Sequence, residues 1–227
     1  IANSLAVKKQ LIENEGVSKD ACKLIYNGVK INKIKNKTKN NTIKILCMAN
    51  IIKYKNHELI INACSKIPKK LNYIIYFVGN DSSRLANLLK KKVIEFGLNN
   101  KIIFCGKKIN PQSFLNNSDI GILVSNEEGF SNTILEYMSF GLPVIASKVG
   151  GNPESVKNNY NGFLIKKNDA NGLKTKLILL IKNPKKRMLM GKNGFKDAKK
   201  HFEINLSVIK YKKTFDKLFW SNAKWKL

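Results

Sequence analysis

Residues 128–147 read Glu128-Gly129-Phe130-Ser131-Asn132-Thr133-Ile134-Leu135-Glu136-Tyr137-Met138-Ser139-Phe140-Gly141-Leu142-Pro143-Val144-Ile145-Ala146-Ser147. The apolar run at residues 120–125 precedes this stretch and predicts a buried strand. A helix over residues 132–140 follows, with Ser131 or Asn132 as its N-cap and with Gly141 and Pro143 at its end. Residues 144–147 predict the next strand, so the stretch describes a strand–helix–strand unit.

Two carboxylates, Glu128 and Glu136, lie on either side of the predicted helix N-terminus. Backbone N–H groups at a helix N-terminus have no partner within the helix, and together with the helix dipole they suit a phosphate. Carboxylates suit hydroxyl groups, so the combination points to a sugar nucleotide. The alternative is structural, with Glu128 favouring the helix dipole and Glu136 as a solvated helix residue.

Strands and helices alternate from residue 42 onward. Apolar runs at residues 43–48, 73–78, 101–105, 119–124, 144–147 and 163–165 predict strands, and periodic segments between them predict helices. Continuous apolar strands separated by helices indicate an α/β fold, a Rossmann-like parallel sheet with helices on both faces. Ligands bind such sheets at the carboxyl ends of the strands, which is where the loop containing Glu128 lies.

The sequence divides into three parts. Residues 1–40 contain a predicted helix at 4–15, a short strand at 23–29, and a solvated linker of Lys, Asn and Thr that begins at residue 32. Residues 41–203 hold the predicted Rossmann-like domain. Residues 204–227 are predicted to form a C-terminal helix and tail.

The strong positive charge needs a cautious interpretation. Lys and Arg number 42 against 15 acidic residues, for a formal net charge of +27, yet only Arg84 and Arg187 are arginine. The chain is also rich in Asn and Ile, which is the bias of an AT-rich genome. Nucleic-acid sites favour arginine, so genome composition explains the charge better than nucleic-acid binding does. Attraction to anionic lipid is a third explanation.

Other side chains exclude several classes of site. The four cysteines are scattered without C-x-x-C spacing, so we expect reduced structural thiols and no zinc site. His57 and His201 have no evident carboxylate partner in the sequence, and we interpret both as structural. No apolar run reaches 18 residues, so the sequence indicates no transmembrane helix.

The stretch from Glu128 to Gly151 resembles the C-terminal signature of glycosyltransferase family 4. The family pattern is E-G-F-x-N-x-x-L-E-x-M-x-x-G-x-P-V-I-A-x-x-x-G-G, and every fixed position is matched. These enzymes are retaining and have the GT-B fold, in which two Rossmann-like domains face a cleft. The resemblance implies that this chain is the C-terminal, donor-binding half of a GT-B fold. It also implies that residues 1–40 are a remnant of the N-terminal domain with the interdomain linker.

The same resemblance implies roles for particular residues. Glu128 would contact hydroxyls of the donor sugar, Glu136 the ribose, and Lys55 the donor phosphates as they leave. Asn50 stands where the family has an arginine, so part of the phosphate site differs here. Further contacts are implied for the diphosphate at Gly129, Phe130, Ser131, Asn132 and Thr133, and for the base at Gly106 and Lys107.

By resemblance, the expected function is transfer of a sugar from a UDP- or GDP-sugar to a hydroxyl of a saccharide or lipid-linked acceptor, with retention. This would be a hexosyltransferase-type enzyme of cell-surface polysaccharide or glycolipid synthesis, without a metal or other cofactor. We expect a cytoplasmic protein with peripheral contact to the inner face of an anionic membrane. A non-catalytic nucleotide-sugar-binding module and a basic nucleic-acid-binding protein are the alternatives. By the same resemblance, we expect the chain to be a fragment, a truncated product, or one half of a split enzyme whose N-terminal domain is a separate chain.

Overall fold

A six-stranded parallel sheet forms the centre of the protein, in a computed structural model that describes residues 1–32 and 41–222. Every strand pair in this sheet is parallel, which confirms the predicted Rossmann-like α/β architecture. The strand order is 3-2-1-4-5-6. The strands are β1 (Ile43–Met48), β2 (Tyr73–Val78), β3 (Ile102–Phe104), β4 (Ile120–Leu123), β5 (Val144–Ser147) and β6 (Gly162–Ile165).

Helices cover both faces of the sheet and bury a separate hydrophobic core on each side. One core packs α2, α3 and α7 against the sheet, and the other packs α4, α5 and α8. None of the described helices has both the length and the apolar character needed to cross a membrane. The helices are α1 (Leu5–Glu13), α2 (His57–Cys64), α3 (Arg84–Glu95), α4 (Gln112–Asn117), α5 (Asn132–Ser139), α6 (Asn152–Ser155), α7 (Ala170–Lys182), α8 (Pro184–His201) and α9 (Ile204–Asn222).

The strand order reverses between β1 and β4, the two central strands. β4 and β5 are buried along their whole length, which explains why both are continuous apolar runs. In a doubly wound sheet the connections leave such a reversal point in opposite directions, so a crevice opens at the carboxyl ends of the two strands. The loops after β1 and β4 therefore form the expected binding edge.

Tyr137 of α5 bonds to both strands at this reversal point. Its side chain is fully buried, and its hydroxyl accepts from the Met48 N–H at 2.7 Å and donates to the Ile122 carbonyl at 3.3 Å. Ser131 is the N-cap of α5, since its hydroxyl accepts from the Ile134 N–H at 3.3 Å. One tyrosine thus joins β1, β4 and the helix whose N-terminus faces the crevice.

The N-terminal segment differs from its prediction at one element. The predicted helix is present as α1, but the short strand at residues 23–29 is wrong. Leu24 forms a bridge only with Ala2, and Val29 only with Glu203. Because the two residues pair with different parts of the chain, no ladder extends between them. Most of the predicted linker, residues 33–40, and the tail at 223–227 lie outside the described residues.

Substitution of two glycines of α8 by alanine should change the stability of the fold in opposite directions. A Cβ on Gly194 would lie 3.5 Å from Met138 Cγ, an ordinary contact, so Gly194→Ala should stabilise the fold by about 0.5–1 kcal/mol through reduced backbone freedom. A Cβ on Gly191 would lie 2.0 Å from the Gly141 carbonyl oxygen, so Gly191→Ala should destabilise it by at least about 1 kcal/mol. Urea unfolding measures both, and a loss of stability in Gly194→Ala would contradict the prediction.

Candidate active site

A cleft of about 570 Å³ opens where the loops after β1 and β4 meet. Its walls come from four places in the chain: helix α1 and the loops after β1, β4 and β5. The conserved geometry of a parallel sheet brings these loops to one edge. The lining residues are Ala6, Val7, Gln10, Tyr54, Asn126, Glu127, Glu128, Gly129, Val149 and Gly150.

Lys55 and Glu128, the two predicted catalytic residues, contact each other where Glu128 lines this cleft. Lys55 Nζ lies 2.6 Å from Glu128 Oε1, and the two side chains are only 18% and 10% exposed. The Ser125 hydroxyl, which is fully buried, donates to the same Oε1 at 2.6 Å. A carboxylate that accepts from an ammonium and a hydroxyl has a fixed orientation, and one of its oxygens is left for another donor.

The loop after β1 is bonded to the loop after β4, and this places Lys55. Residues Lys53–Lys55 form one turn of 3₁₀ helix, and Asn56 ends it with a left-handed φ of 53°. The Asn126 N–H donates to the Tyr54 carbonyl at 2.7 Å, and Asn56 Nδ2 donates to Asn126 Oδ1 at 3.3 Å. Two hydrogen bonds therefore hold the loop that carries Lys55 against the loop that carries Glu128.

The loop containing Gly150 and Gly151, which follows β5, packs against the loop that carries Glu128. The Gly151 N–H donates to the Gly129 carbonyl at 2.8 Å. Gly150 has a left-handed φ of 48°, and a Cβ there would lie 1.6 Å from the Glu128 carbonyl oxygen. Only glycine permits this approach, so the two loops are packed backbone against backbone.

A short series of buried polar groups continues behind Ser125. The Ser147 hydroxyl donates to the Ser125 carbonyl, and Asn152 Nδ2 donates to the Ser147 carbonyl at 3.0 Å. All three side chains are buried. Buried polar groups that are hydrogen-bonded in this way define one conformation, so they keep the end of β4 in place under Glu128.

Helix α5 presents its N-terminus to the same edge. The first-turn N–H groups of a helix have no helical carbonyl to bind, so those of Asn132 and Thr133 are available to an anion. Glu136, one turn further on, is half-buried, and burial raises the pKa of its carboxyl. Within the described residues, no basic side chain forms an ion pair with it. Its carboxylate therefore suits uncharged hydroxyl donors.

Phe130 and Thr133 contribute differently from the other predicted residues. The Phe130 side chain is buried against Tyr26 and Phe202, with ring centroids 5.0 and 5.5 Å away. Thr133 uses its hydroxyl to donate to the Met48 carbonyl at 3.3 Å. The Phe130 side chain is therefore unavailable to a ligand, and the proton of the Thr133 hydroxyl is already used.

Three predicted residues lie on the neighbouring part of the edge, above β1, β2 and β3. Asn50 Oδ1 accepts from the Asn80 N–H at 2.9 Å, so the Asn50 amide donor is the group left for a ligand. The Gly79 N–H donates to the Gly106 carbonyl at 3.1 Å, and Gly106 has a φ of 68°. Lys107 is exposed. The structure shows none of the three in contact with the pair of Lys55 and Glu128.

The sequence interpretation missed Glu154, which holds the N-terminal segment on the sheet. Its carboxylate accepts from the N–H groups of Leu5 and Ala6 at 2.8 and 3.0 Å and from the Tyr26 hydroxyl at 2.9 Å. Burial and this carboxylate raise the pKa of Tyr26 to about 12. An available signal was Pro153 followed by an acid in the first turn of α6. Glu154 thereby places α1 as one wall of the cleft.

His57 and the cysteines lie in structural positions. His57 is buried, packs edge-on against Phe77 at 5.0 Å, and has its pKa lowered to about 4 because burial disfavours the charged ring. The four cysteines are free thiols. In the described ranges, no group of three or more His, Cys, Asp and Glu side chains is placed to bind a metal.

Comparison with known proteins identifies the family of the chain. The sequence profile of the family described as Glycosyl transferases group 1 matches residues 29–197. An uncharacterised glycosyltransferase of Methanocaldococcus jannaschii is 35% identical over 96% of this chain and 58% of its own length. The N,N'-diacetylbacillosaminyl-diphospho-undecaprenol alpha-1,3-N-acetylgalactosaminyltransferase of Campylobacter jejuni is 26% identical over 77% of this chain and 44% of its own length.

Solved structures share the architecture. A glycosyltransferase from Rickettsia africae superimposes with a TM-score of 0.89 at 26% identity, over 96% of this chain and 62% of that one. Anabaena HepE in complex with UDP-glucose gives a TM-score of 0.87 at 24% identity, over 95% and 63%. The chain thus spans between about two fifths and three fifths of the length of these relatives. It belongs to the Glycosyl transferases group 1 family, and its sheet corresponds to one part of their GT-B glycosyltransferase fold.

Proposed function

We propose that this chain is the donor-binding half of a retaining glycosyltransferase that takes its sugar from a nucleoside diphosphate. The observation that supports the proposal most strongly is the cluster of Lys55, Glu128 and Ser125 beside the N-terminus of α5. The cluster supplies one cation and one oriented carboxylate at the sheet edge where α5 begins. This is the charge distribution that a sugar nucleotide requires.

The pair of Lys55 and Glu128 changes partners when donor binds. In the structure the two side chains bond each other at 2.6 Å. With donor present, the Lys55 ammonium contacts the diphosphate, and the Glu128 carboxylate accepts a hydroxyl of the sugar while Ser125 keeps its orientation. Lys55 gains a stronger partner, since a diphosphate carries more negative charge than one carboxylate. The sugar hydroxyl occupies a free lone pair of Glu128.

Reaction then proceeds by departure of the diphosphate. The bond between the anomeric carbon and the diphosphate oxygen breaks, and the acceptor oxygen bonds to the same face of that carbon. The acceptor proton leaves with the diphosphate. Lys55 and the N-terminus of α5 stabilise the negative charge that develops, a role that requires no metal. Glu128 holds the sugar and is not assigned as a nucleophile.

Glu136 and the edge above β3 hold the nucleoside. Glu136 accepts the ribose hydroxyls, and the loop at Gly106 and Lys107 contacts the base. UDP is the first donor nucleotide to test, because a structure of the same fold holds UDP-glucose; GDP is the alternative. A relative that acts on a diphospho-undecaprenol-linked saccharide supports a lipid-linked acceptor and a role in cell-surface polysaccharide or glycolipid synthesis.

Calorimetric titration of the purified chain tests this function. We expect UDP- or GDP-sugars to bind with micromolar to millimolar affinity, and sugar transfer to be slight or absent without an acceptor-binding domain. Failure of every nucleoside diphosphate and its sugars to bind at millimolar concentration would overturn the proposal. Rapid transfer by this chain alone would overturn the division of labour between the two halves, and tight RNA binding without nucleotide affinity would favour the nucleic-acid alternative.

A further inference from the structure

The outward face of α8 carries an unusual row of side chains. At 3.6 residues per turn, the buried residues of this helix lie on one face, and the opposite face contains positions 185, 189, 192, 196 and 199. Positions 188 and 200 border it. We call these exposed residues the α8 stripe: Lys185, Met188, Leu189, Lys192, Lys196, Lys199 and Lys200.

The α8 stripe combines positive charge with large exposed apolar side chains. Met188 is 73% exposed and Leu189 is 59% exposed, and lysines lie on both sides of them along the helix. Asp197 is the single acidic residue in the sequence of α8. It is buried on the opposite face and pairs with Lys157 at 2.9 Å. No acidic residue of α8 therefore offsets the charge of the stripe.

Helix α3 provides an internal comparison. It also exposes large apolar residues, Leu88 at 55% and Ile94 at 68%. Two of its three lysines, however, are paired: Lys90 with Asp81 at 3.0 Å and Lys92 with Glu58 at 2.6 Å. Most of the lysine charge of α3 is thus offset by nearby carboxylates. The α8 stripe differs because its cations are concentrated around an apolar centre.

We propose that the α8 stripe docks this protein onto an anionic lipid surface. Lysines are attracted to the negative headgroups, while Met188 and Leu189 enter the boundary between headgroups and acyl chains, as on an interfacial amphipathic helix. Nucleic acid fits this surface less well, because the one arginine of α8 does not face outward. Arg187 donates to the carbonyl of Ile181 at 2.9 Å and to that of Leu180, at the end of α7.

The direction of α8 gives the contact a functional geometry. Gly191 packs on Gly141, at the C-terminal end of α5. Phe202, at the end of α8, packs on Phe130, just before the N-terminus of α5. The helix therefore runs antiparallel to α5, and its last lysines approach the edge that carries Glu128. A bilayer against the α8 stripe would lie beside this edge. The docking itself concerns only the surface and is independent of sugar transfer.

Co-sedimentation with vesicles tests the proposal. The whole chain is mixed with vesicles of phosphatidylcholine alone or with 30–40 mol%, roughly, of phosphatidylglycerol, at low and at high salt. We expect binding to the anionic vesicles that weakens with salt. The triple variant Lys192→Gln/Lys196→Gln/Lys199→Gln should bind at least about tenfold more weakly. The matched control Lys66→Gln/Lys69→Gln/Lys70→Gln removes the same charge from an exposed loop elsewhere.

The control decides between this surface and net charge. Equal losses in the two triple variants, or no loss in either, would overturn the proposal. A second variant, Met188→Gln/Leu189→Gln, keeps every lysine and should lose the part of the binding that survives high salt. Unchanged binding in that variant would remove the apolar contact from the proposal. Binding of RNA through the stripe with none to anionic vesicles would assign it to nucleic acid instead.

Discussion

Glu136→Ala should weaken binding of a UDP- or GDP-sugar about thirtyfold, because a hydrogen bond to a charged group contributes roughly 1.5–3 kcal/mol. The carboxylate is half-buried, and no basic side chain of the described residues forms an ion pair with it. We therefore expect no local structure to depend on it. The loss should therefore appear in affinity and not in folding. Calorimetric titration of the donor against the variant and the parent chain measures it.

Two controls make the result specific to ribose. Glu95→Ala removes an exposed carboxylate from α3, so it tests the effect of one negative charge on binding of an anionic ligand. Ribose 5-phosphate and its 2-deoxy analogue test whether the loss follows the hydroxyls. An affinity of Glu136→Ala equal to that of the parent would remove Glu136 from the site, whereas a parallel loss of thermal stability would assign it a structural role.

Lys55→Met should lower the free energy of unfolding by about 3 kcal/mol and reduce donor affinity about a hundredfold. Removal of one member of a buried ion pair leaves the other charge without its partner, which costs about 3–5 kcal/mol. Ser125 keeps its hydrogen bond to Glu128, so we place the expected value at the lower end. Urea unfolding in the absence of ligand measures the first effect and titration the second.

The double variant Lys55→Met/Glu128→Gln separates the two effects. A neutral amide still accepts from Ser125 and needs no cation, so most of the lost stability should return. Donor affinity should stay low, since the diphosphate still lacks its ammonium. Additive losses of stability in the double variant would mean that the contact between Lys55 and Glu128 contributes nothing to folding.

The central part of the fold could be predicted because its signals are local. β4 and β5 are buried apolar runs, and Ser131 and Gly141 mark the two ends of α5 within a few residues of sequence. The segment at residues 23–29 could not be predicted in the same way. Its apolar residues resemble a strand, but its pairing partners, Ala2 and Glu203, come from distant parts of the chain.

The candidate site was predictable in residue identity and less so in geometry. Glu128 and Lys55 follow strands, and a parallel sheet brings such positions to one edge. Their direct bond spans 73 positions and depends on loop conformations that no short pattern describes. Glu154 was missed for this reason, because its contacts to Leu5, Ala6 and Tyr26 span 128 positions or more. Ser125 bonds Glu128 only three positions away, but a single serine at the end of an apolar run has no pattern that distinguishes it.

The approach of Gly150 to the Glu128 carbonyl has a practical consequence for engineering this scaffold. A directed-evolution library aimed at a new sugar would naturally randomise the segment around Glu128. The backbone of that segment packs directly on Gly150, 22 positions downstream, where even a methyl group cannot be placed. Any change in the backbone of the segment must therefore preserve this contact. Diversity is better introduced at Gln10 and Tyr54, which line the cleft from other elements and leave this contact intact.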